Sequence, residues 1–358
     1  YDRNEREVKT IVSTKIIPVI KDTIITLDSP MEYNHYSGNY VIDGTTRFIR
    51  GEVGLLSRNV VVQGDPSSVE SQYGSHIMLR GLEGEVFGRF SYFETRLAGQ
   101  AFQMGRYPIH FHMIGNIFDS YIEGCSVHQT FNRGTTIHGV HYLRLINNVY
   151  HDILGHAIFI EDSAETNNEI RDNLVVYVSV STSLLESDLK PAGIWITHPT
   201  NFFTGNHVVG SEFFSFWFDL PARPTGPSST VNTCPIAEQL GIIDNKVGHS
   251  SGDGLRIYPV FQPRTHPCRP AFDDGLVDPF SENEPIPAVF NDNVMYMNGQ
   301  GIFHRDIGAV QHQGLILIGN SVDAVIASPK WARDSQPKIE SSYFIGESGI
   351  NDVHGIGK

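Results

Sequence analysis

The chain has 358 residues, of which 40% are hydrophobic, and it carries a formal net charge of −14 at pH 7. A surface with this excess of negative charge repels polyanions, which excludes nucleic acid as an expected partner. No apolar run reaches the roughly 18 residues that a membrane-spanning helix needs. Because the chain begins at Tyr1 and no basic and apolar leader precedes its ordered part, we interpret it as a segment of a longer protein.

Short β-rich segments recur along the chain, whereas helical patterns are scarce. The 34 glycines and 19 prolines are scattered throughout, and no long stretch has apolar residues at helical spacing. In chain order, the segments include NVVVQG, SHIMLRG, YIEGCSVH, TTIHGV, HAIFIE, NLVVYV, GIWIT, SFWFDL, GLRIYP and GLILIGNSV. Their composition predicts an all-β chain.

A repeated asparagine, followed within two residues by an aliphatic residue, separates many of these segments. It occurs at Asn148, Asn173, Asn206, Asn245, Asn293 and Asn320. Asparagine suits tight corners because it tolerates left-handed backbone angles, and stacked asparagines form hydrogen-bonded ladders. The first two are 25 residues apart, and a period of about 20 to 30 residues is typical of a solenoid.

The repeat predicts a right-handed parallel β-helix. We expect one such domain over residues 1–358, as a segment of a larger extracellular protein, with a long inserted loop region within 221–270. The competing architecture is a β-propeller, but its blades carry longer, antiparallel repeats.

Several long segments resemble fibrocystin-L and its relatives, a group that includes the transmembrane and cell-migration-inducing hyaluronidases. These segments are GRYPIHFHMIG, SYIEGCSVHQTFNRGTTIHGVH and LGHAIFIEDSAETNN, and the likeness extends from about Ile24 to Asp323. The resemblance implies a parallel β-helix in a large extracellular or cell-surface protein, often anchored in the membrane.

The three cysteines fall into two classes. Cys234 and Cys268 lie in polar, proline-rich segments where a surface disulfide forms readily, and the resemblance places both beside the same inserted loop. We therefore expect them to pair. Cys125 lies in an apolar segment, where a cysteine usually acts as a small buried residue.

The motif IHFH is the first candidate for chemistry. In a strand, His110 and His112 project to one face and the intervening apolar residues to the other. A metal site needs a further donor from another turn, and His138 and His156 are our candidates. Calcium or another divalent metal is the cofactor considered. The alternative is that these histidines only fill the solenoid wall, hydrogen-bonded to the backbone or to each other.

The likeness to hyaluronidases implies polysaccharide cleavage as an alternative function. A carboxylate of the substrate would then be held by an arginine, and protons would be transferred by histidine and glutamate. Glu161 and Asp162 are adjacent, so in an extended chain they are expected to point to opposite faces. The candidate catalytic residues are His110, His112, Arg106, Arg133 and Glu161.

Two tryptophans are candidates for sugar stacking. Trp195 and Trp217 each lie in an aromatic strand, where flat rings either meet the apolar faces of sugars or pack in the core. We favour a structural or adhesive extracellular segment that contacts glycans or neighbouring protein subunits, including copies of itself. This preference rests on the nearer likeness to fibrocystin-L, the acidic charge and the lack of an identifiable acid/base pair.

Overall fold

The computed structural model describes residues 3–42, 44–182, 186–269, 283–327 and 336–346. The chain forms two compact units, one within Tyr1–Val53 and one within Gly54–Ser348. Every parallel strand that the structure describes lies in the second unit. The described β-helix therefore starts later than the predicted domain, which began at residue 1.

The first unit contains two antiparallel strand pairs. Strands β1 (Ile11–Ile17) and β2 (Asp22–Leu27) form one pair, and β3 (Ser37–Ile42) and β4 (Thr45–Arg50) form the other. Short connections allow antiparallel pairing, whereas parallel strands need a longer crossover.

The second unit is a parallel β-helix, which confirms the predicted fold class. Each strand pairs with the strands three before and three after it, so one turn of chain adds one strand to each of three sheets. The first sheet contains β5 (Val60–Gln63), β8 (Phe93–Ala98), β11 (Ser126–Thr130), β14 (Val149–Leu154), β17 (Leu174–Ser179), β20 (His207–Ser211), β23 (Val247–His249), β26 (Val294–Tyr296), β29 (Ile316–Ile318) and β32 (Tyr343–Ile345).

The second sheet contains β6 (Ile77–Arg80), β9 (Ile109–Asn116), β12 (Thr135–His141), β15 (Ile158–Ile160), β18 (Ala192–Ile196), β21 (Phe214–Phe218), β24 (Asp253–Ile257), β27 (Gln300–His304) and β30 (Val322–Ile326). The third contains β7 (Arg89–Ser91), β10 (Tyr121–Glu123), β13 (Arg144–Ile146), β16 (Glu169–Arg171), β19 (Phe202–Thr204), β22 (Ile243–Asp244), β25 (Ala288–Asn291), β28 (Val310–Gln313) and β31 (Lys338–Glu340).

Helical structure is limited to short segments in the described part of the chain. These are α1 (Ser68–Ser71) and two 3₁₀ turns, Glu186–Leu189 and Gly226–Ser228. None of the described helices has the length and apolar character needed to cross a membrane.

The core lies between the three sheets and is built by strand alternation. Phe111, Ile137 and Ile160 occupy the same register position on successive strands of the second sheet, and all three are fully buried. Burying an aliphatic or aromatic side chain of this size contributes about 1.5 to 3 kcal/mol. The outward neighbours of these residues are thereby placed on a single face of the sheet.

The predicted asparagine ladder forms at the corner between the third and first sheets. The side-chain oxygen of Asn173 accepts hydrogen bonds from the backbone and side-chain amides of Asn148, and Asn206 does the same for Asn173, at 2.9–3.1 Å. Asn147 and Asp172, which precede two ladder residues, adopt left-handed backbone angles. Other corners contain the shorter ladders Asn168–Asn201 and Asn298–Asn320.

The predicted inserted region holds two insertions rather than one continuous loop. The turn made by β22, β23 and β24 separates residues 221–242 from the second insertion, which starts at residue 258. Cys234 and Cys268 form a disulfide between the two insertions, while Cys125 is fully buried. Residue 270, the end of the predicted region, lies outside the described residues.

Lys246 interrupts the asparagine ladder. Its backbone amide donates to the Asn293 side chain at 3.2 Å, as a ladder residue should, while Asn245 takes the left-handed corner position. The Lys246 side chain is fully buried and its ammonium nitrogen has no hydrogen-bond partner. Burial lowers the pKa of Lys246 from 10.5 to about 7. Four rings lie 5.3–6.0 Å from this nitrogen, those of Phe203, Phe216, Phe218 and Phe290.

Replacing Lys246 by methionine is expected to stabilise the fold. Removing a buried, unpaired cation should raise the free energy of unfolding by about 1 to 4 kcal/mol at pH 7. The unfolded lysine holds a proton between pH 7 and 10.5 that the folded one has lost, so wild-type stability rises with pH across this range. The gain from Lys246→Met should therefore shrink towards pH 10.5.

Urea unfolding at several pH values measures this difference. The matched control is Lys338→Met at an exposed position, which should change stability little. Equal or lower stability of Lys246→Met at pH 7 would contradict the interpretation of Lys246 as an energetic defect.

Candidate functional site

The outward face of the second sheet gathers three histidines. His112 on β9 pairs with His138 on β12, and His110 lies two residues earlier on β9, on the same face. One ring nitrogen from each residue lies within 4.8 Å of the others. Two adjacent turns thus supply the donors, as the predicted extra ligand from another turn requires.

His110 presents one nitrogen to this cluster and uses the other for support. Its Nδ1 lies 2.9 Å from the carbonyl oxygen of Gly105 and donates a hydrogen bond to it. The buried Nε2 has no hydrogen-bond partner and lies 3.9 Å from Oε2 of Glu161. Burial lowers the pKa of His110 to about 3, so the ring is neutral. The lone pair of Nε2 is therefore available to coordinate a metal.

His138 is held between two carboxylates. Its Nε2 lies 2.8 Å from Asp162 Oδ2, and its Nδ1 lies 3.3 Å from Glu161 Oε2 and 3.1 Å from His112 Nδ1. Burial alone would lower the pKa of His138, but the Asp162 hydrogen bond and the Glu161 charge outweigh it and raise the pKa. The partly buried His112 has its pKa lowered, chiefly by burial.

Glu161 and Asp162 meet the same imidazole, contrary to the expectation that they point to opposite faces. Strand β15 ends at Ile160, so the alternation of an extended chain no longer applies to the next two residues. Burial raises the pKa of Glu161. For Asp162, burial acts in the raising direction, but hydrogen bonds from His138 and Ser228 lower its pKa overall.

The donor set fits a divalent transition metal better than calcium. Imidazole nitrogens suit zinc and similar metals, whereas calcium takes six to eight oxygen ligands. His110, His112 and His138 supply three nitrogens, and Glu161 adds a buried carboxylate oxygen without a hydrogen bond. The Asp162 contact to His138 and the carbonyl contact to His110 are the outer partners that metal-bound histidines normally have.

The other predicted ligand, His156, is engaged elsewhere. Its ring stacks on Trp195 with centroids 4.9 Å apart, and its Nδ1 accepts a hydrogen bond from the Ala192 amide at 3.0 Å. Its Nε2 lies 3.7 Å from the buried Asp188. These contacts place His156 in the packing beneath the tryptophan.

The two predicted arginines lie in different surroundings. Arg133 is buried, with its guanidinium 3.4 Å from the centroid of Phe159 and its Nε 3.1 Å from Asp188. Arg106 is exposed and contacts His76. Burial raises the pKa of Glu161, and the positive charge of Arg133 acts against this rise, so Arg133 is electrostatically coupled to the cluster.

An aromatic row continues the same face beyond the cluster. Trp195 and Trp217 occupy one register position on β18 and β21, followed by Arg256 on β24 and Phe303 on β27. All four are partly exposed, and the Arg256 guanidinium lies 4.2 Å from the Phe303 centroid. The tryptophans thus lie on the outer surface, and their inward neighbours form the core.

Asp219 is a carboxylate that sequence reasoning missed. It follows β21 and its amide bonds to Ile196, which places it in the row of Glu161, two strands away. At about 4.8 Å per strand, the two Cα atoms are roughly 10 Å apart. Burial raises the pKa of Asp219 to about 6. From sequence, Asp219 could have been paired with Glu161 only by aligning the strands of successive turns residue by residue.

A family model described as CEMIP beta-helix matches residues 72–255. The chain belongs to the CEMIP beta-helix family. The matched range includes His110, His112, His138, Glu161, Asp162, Trp195 and Trp217.

The relatives of this CEMIP beta-helix chain confirm the resemblance inferred from sequence. Fibrocystin-L from Mus musculus and from Homo sapiens are each 34% identical to it, over 97% and 89% of the chain. Cell surface hyaluronidase CEMIP2 from Homo sapiens is 31% identical over 59% of the chain. The matched regions make up 9%, 8% and 18% of those proteins, so the chain spans a small part of their length.

In the metal-free protein, the pKa values of the two buried histidines are expected to be shifted in opposite directions. His138 should hold its proton above pH 6.5, and His110 should stay neutral down to about pH 3. Asp162→Asn removes the hydrogen-bonded charge that does most to offset burial, so the pKa of His138 should fall. Titration of the ring signals by NMR measures all three values. Joint titration of His110 and His138 near pH 6.5 would contradict this geometry.

Proposed function

We propose that the chain is an extracellular β-helix segment that binds a glycan along the outward face of its second sheet, with a divalent metal at the histidine cluster. The observation that carries this proposal is the continuity of that face. Three histidines and Glu161 converge at one end, and the row of Trp195, Trp217, Arg256 and Phe303 continues from them.

An extracellular location is supported by two observations. The disulfide between Cys234 and Cys268 is of a kind that persists in oxidising compartments. CEMIP2 is named as a cell-surface protein, and its similarity covers more than half of this chain.

Glycan binding follows from the chemistry of the row. Partly exposed indole rings offer flat apolar surfaces to sugar rings, and Arg256 adds hydrogen-bond donors beside them. With a net charge of −14, the chain repels acidic polymers at long range, whereas a bound divalent cation attracts carboxylates locally. The metal would therefore favour a glycan that carries carboxylates, and the similarity to cell surface hyaluronidase CEMIP2 makes hyaluronan the first probe.

Purified protein loaded with zinc is expected to bind size-defined hyaluronan. His112→Ala removes a metal ligand and Trp217→Ala removes a stacking surface, so each should weaken binding about tenfold or more. Biolayer interferometry with and without chelator measures the affinity.

The matched controls are His266→Ala at an exposed position and a neutral chitin oligosaccharide. Binding that is unaffected by chelator and by both substitutions would remove the second-sheet face as the site. Equal affinity for the neutral oligosaccharide would remove the role of the metal in selecting carboxylates.

Hydrolysis is the second candidate function, favoured by the pairing of Glu161 with Asp219. Inverting glycosidases use two carboxyl groups about 6.5–9.5 Å apart, one protonated and one ionised. The ionised carboxylate takes a proton from a water molecule while the oxygen of that water attacks the sugar carbon. The protonated carboxyl group gives its proton to the leaving oxygen. Asp219, whose pKa burial raises to about 6, suits the protonated group, and Glu161, as a ligand of the proposed metal, is the ionised one.

Hydrolysis predicts shorter hyaluronan products on a sizing gel. Asp219→Asn should abolish shortening while leaving zinc affinity unchanged, because Asp219 is not among the proposed ligands. The exposed Asp119→Asn serves as the control. If the wild-type protein leaves the polymer intact, hydrolysis is excluded and glycan binding is the remaining proposed function. If Asp219→Asn shortens the polymer at the wild-type rate, this carboxyl pair is excluded as the catalytic pair.

A further inference from the structure

The first insertion, residues 221–242, reaches back along the second sheet to the histidine cluster. The Thr225 amide donates to the carbonyl oxygen of Asp162 at 2.9 Å, and the Ser228 amide donates to Asp162 Oδ2 at 3.1 Å. Ser228 and Asp162 are 66 residues apart in sequence. The insertion therefore holds both the backbone and the side chain of one carboxylate residue.

The carboxylate oxygen that meets the insertion is the one that meets the cluster. Asp162 Oδ2 also accepts a hydrogen bond from His138 Nε2 at 2.8 Å. A carboxylate oxygen has two lone pairs, so it accepts both bonds at once. By fixing the proton on Nε2, this contact leaves Nδ1 of His138 directed at His112 and Glu161.

Gly226 allows this close approach. It has a φ of 56°, and a Cβ atom at this position would lie 2.4 Å from Asp162 Oδ1. The short Asp162 side chain is held by Ser228 and His138, so it moves aside only if one of those bonds lengthens. A side chain at position 226 would therefore displace either the insertion or the carboxylate.

We propose that the first insertion is a positioning element for the metal site: the Ser228 amide fixes Asp162, and Asp162 orients His138 for the metal. The proposal rests on the metal site proposed above and adds a residue set that lies far from it in sequence. It also gives the insertion a role beyond connecting β21 to β22. Supporting partners of metal-bound histidines commonly change metal affinity 10- to 100-fold when they are lost.

Gly226→Ala tests this coupling directly. The variant should bind zinc about tenfold more weakly than the wild type, because its methyl group separates the insertion from Asp162. Gly84→Ala is the matched control, since Gly84 also has a positive φ, of 79°, but has no atom within 4 Å of an added Cβ. Both variants carry similar backbone strain, and only one should lose zinc affinity.

Competition of zinc with a chromogenic chelator gives the affinities. Wild-type zinc affinity in Gly226→Ala would overturn the positioning role while leaving the metal site intact. No zinc binding by the wild type would instead overturn the metal site itself, and the positioning role with it.

Hydrogen exchange on the wild-type protein provides a second test that needs no variant. Coupling is reciprocal, so zinc binding should slow exchange of the Thr225 and Ser228 amides by a factor comparable to the change in zinc affinity. Amides of the antiparallel pair β1 and β2 serve as the internal control. Exchange at Thr225 and Ser228 that is unchanged by zinc would contradict the proposal.

Discussion

The hydrogen-bonded register between successive turns is the constraint on which the rest of the structure depends. Each strand of the second sheet pairs with the strand one turn later, at a spacing of about 4.8 Å. Side chains at one register position therefore form a row, whatever their distance in sequence. His112 and His138 meet because of this register, and Trp195, Trp217 and Arg256 continue the face for the same reason.

The corners keep this register fixed. Asn148, Asn173 and Asn206 satisfy each other's side chains and the backbone amides at the bend, which leaves few alternative pairings for neighbouring turns. At Lys246 the side chain makes no hydrogen bond in the ladder, and its amine is buried among phenylalanines without a hydrogen-bond partner. The fold tolerates this cost because the turns on either side supply parallel strand pairing independently.

Much of this could be predicted from sequence because the fold is periodic. The repeated asparagines indicated the solenoid, and strand alternation placed His110 and His112 on one face with the apolar residues between them in the core. A resemblance carried by long segments gave the family. These signals are either local or regular, and both kinds are visible in a single sequence.

The rest of the site depends on where strands end and on contacts between distant segments. Glu161 and Asp162 converge on His138 because β15 stops one residue earlier, and sequence alternation cannot place such an end. His156 is close to the cluster in sequence, but stacking on Trp195 commits its ring elsewhere. The contact of Ser228 with Asp162 crosses 66 residues and has no local pattern.

The central claim is that register and strand end together bring three imidazoles and one carboxylate to a single metal ion. X-ray absorption spectroscopy at the zinc edge of the zinc-loaded protein tests it most directly. The expected spectrum shows nitrogen and oxygen donors bound to zinc, with a multiple-scattering signal of three imidazoles that falls to two in His112→Ala. A shell with fewer than three imidazoles in the wild type, or one unchanged by His112→Ala, would contradict it.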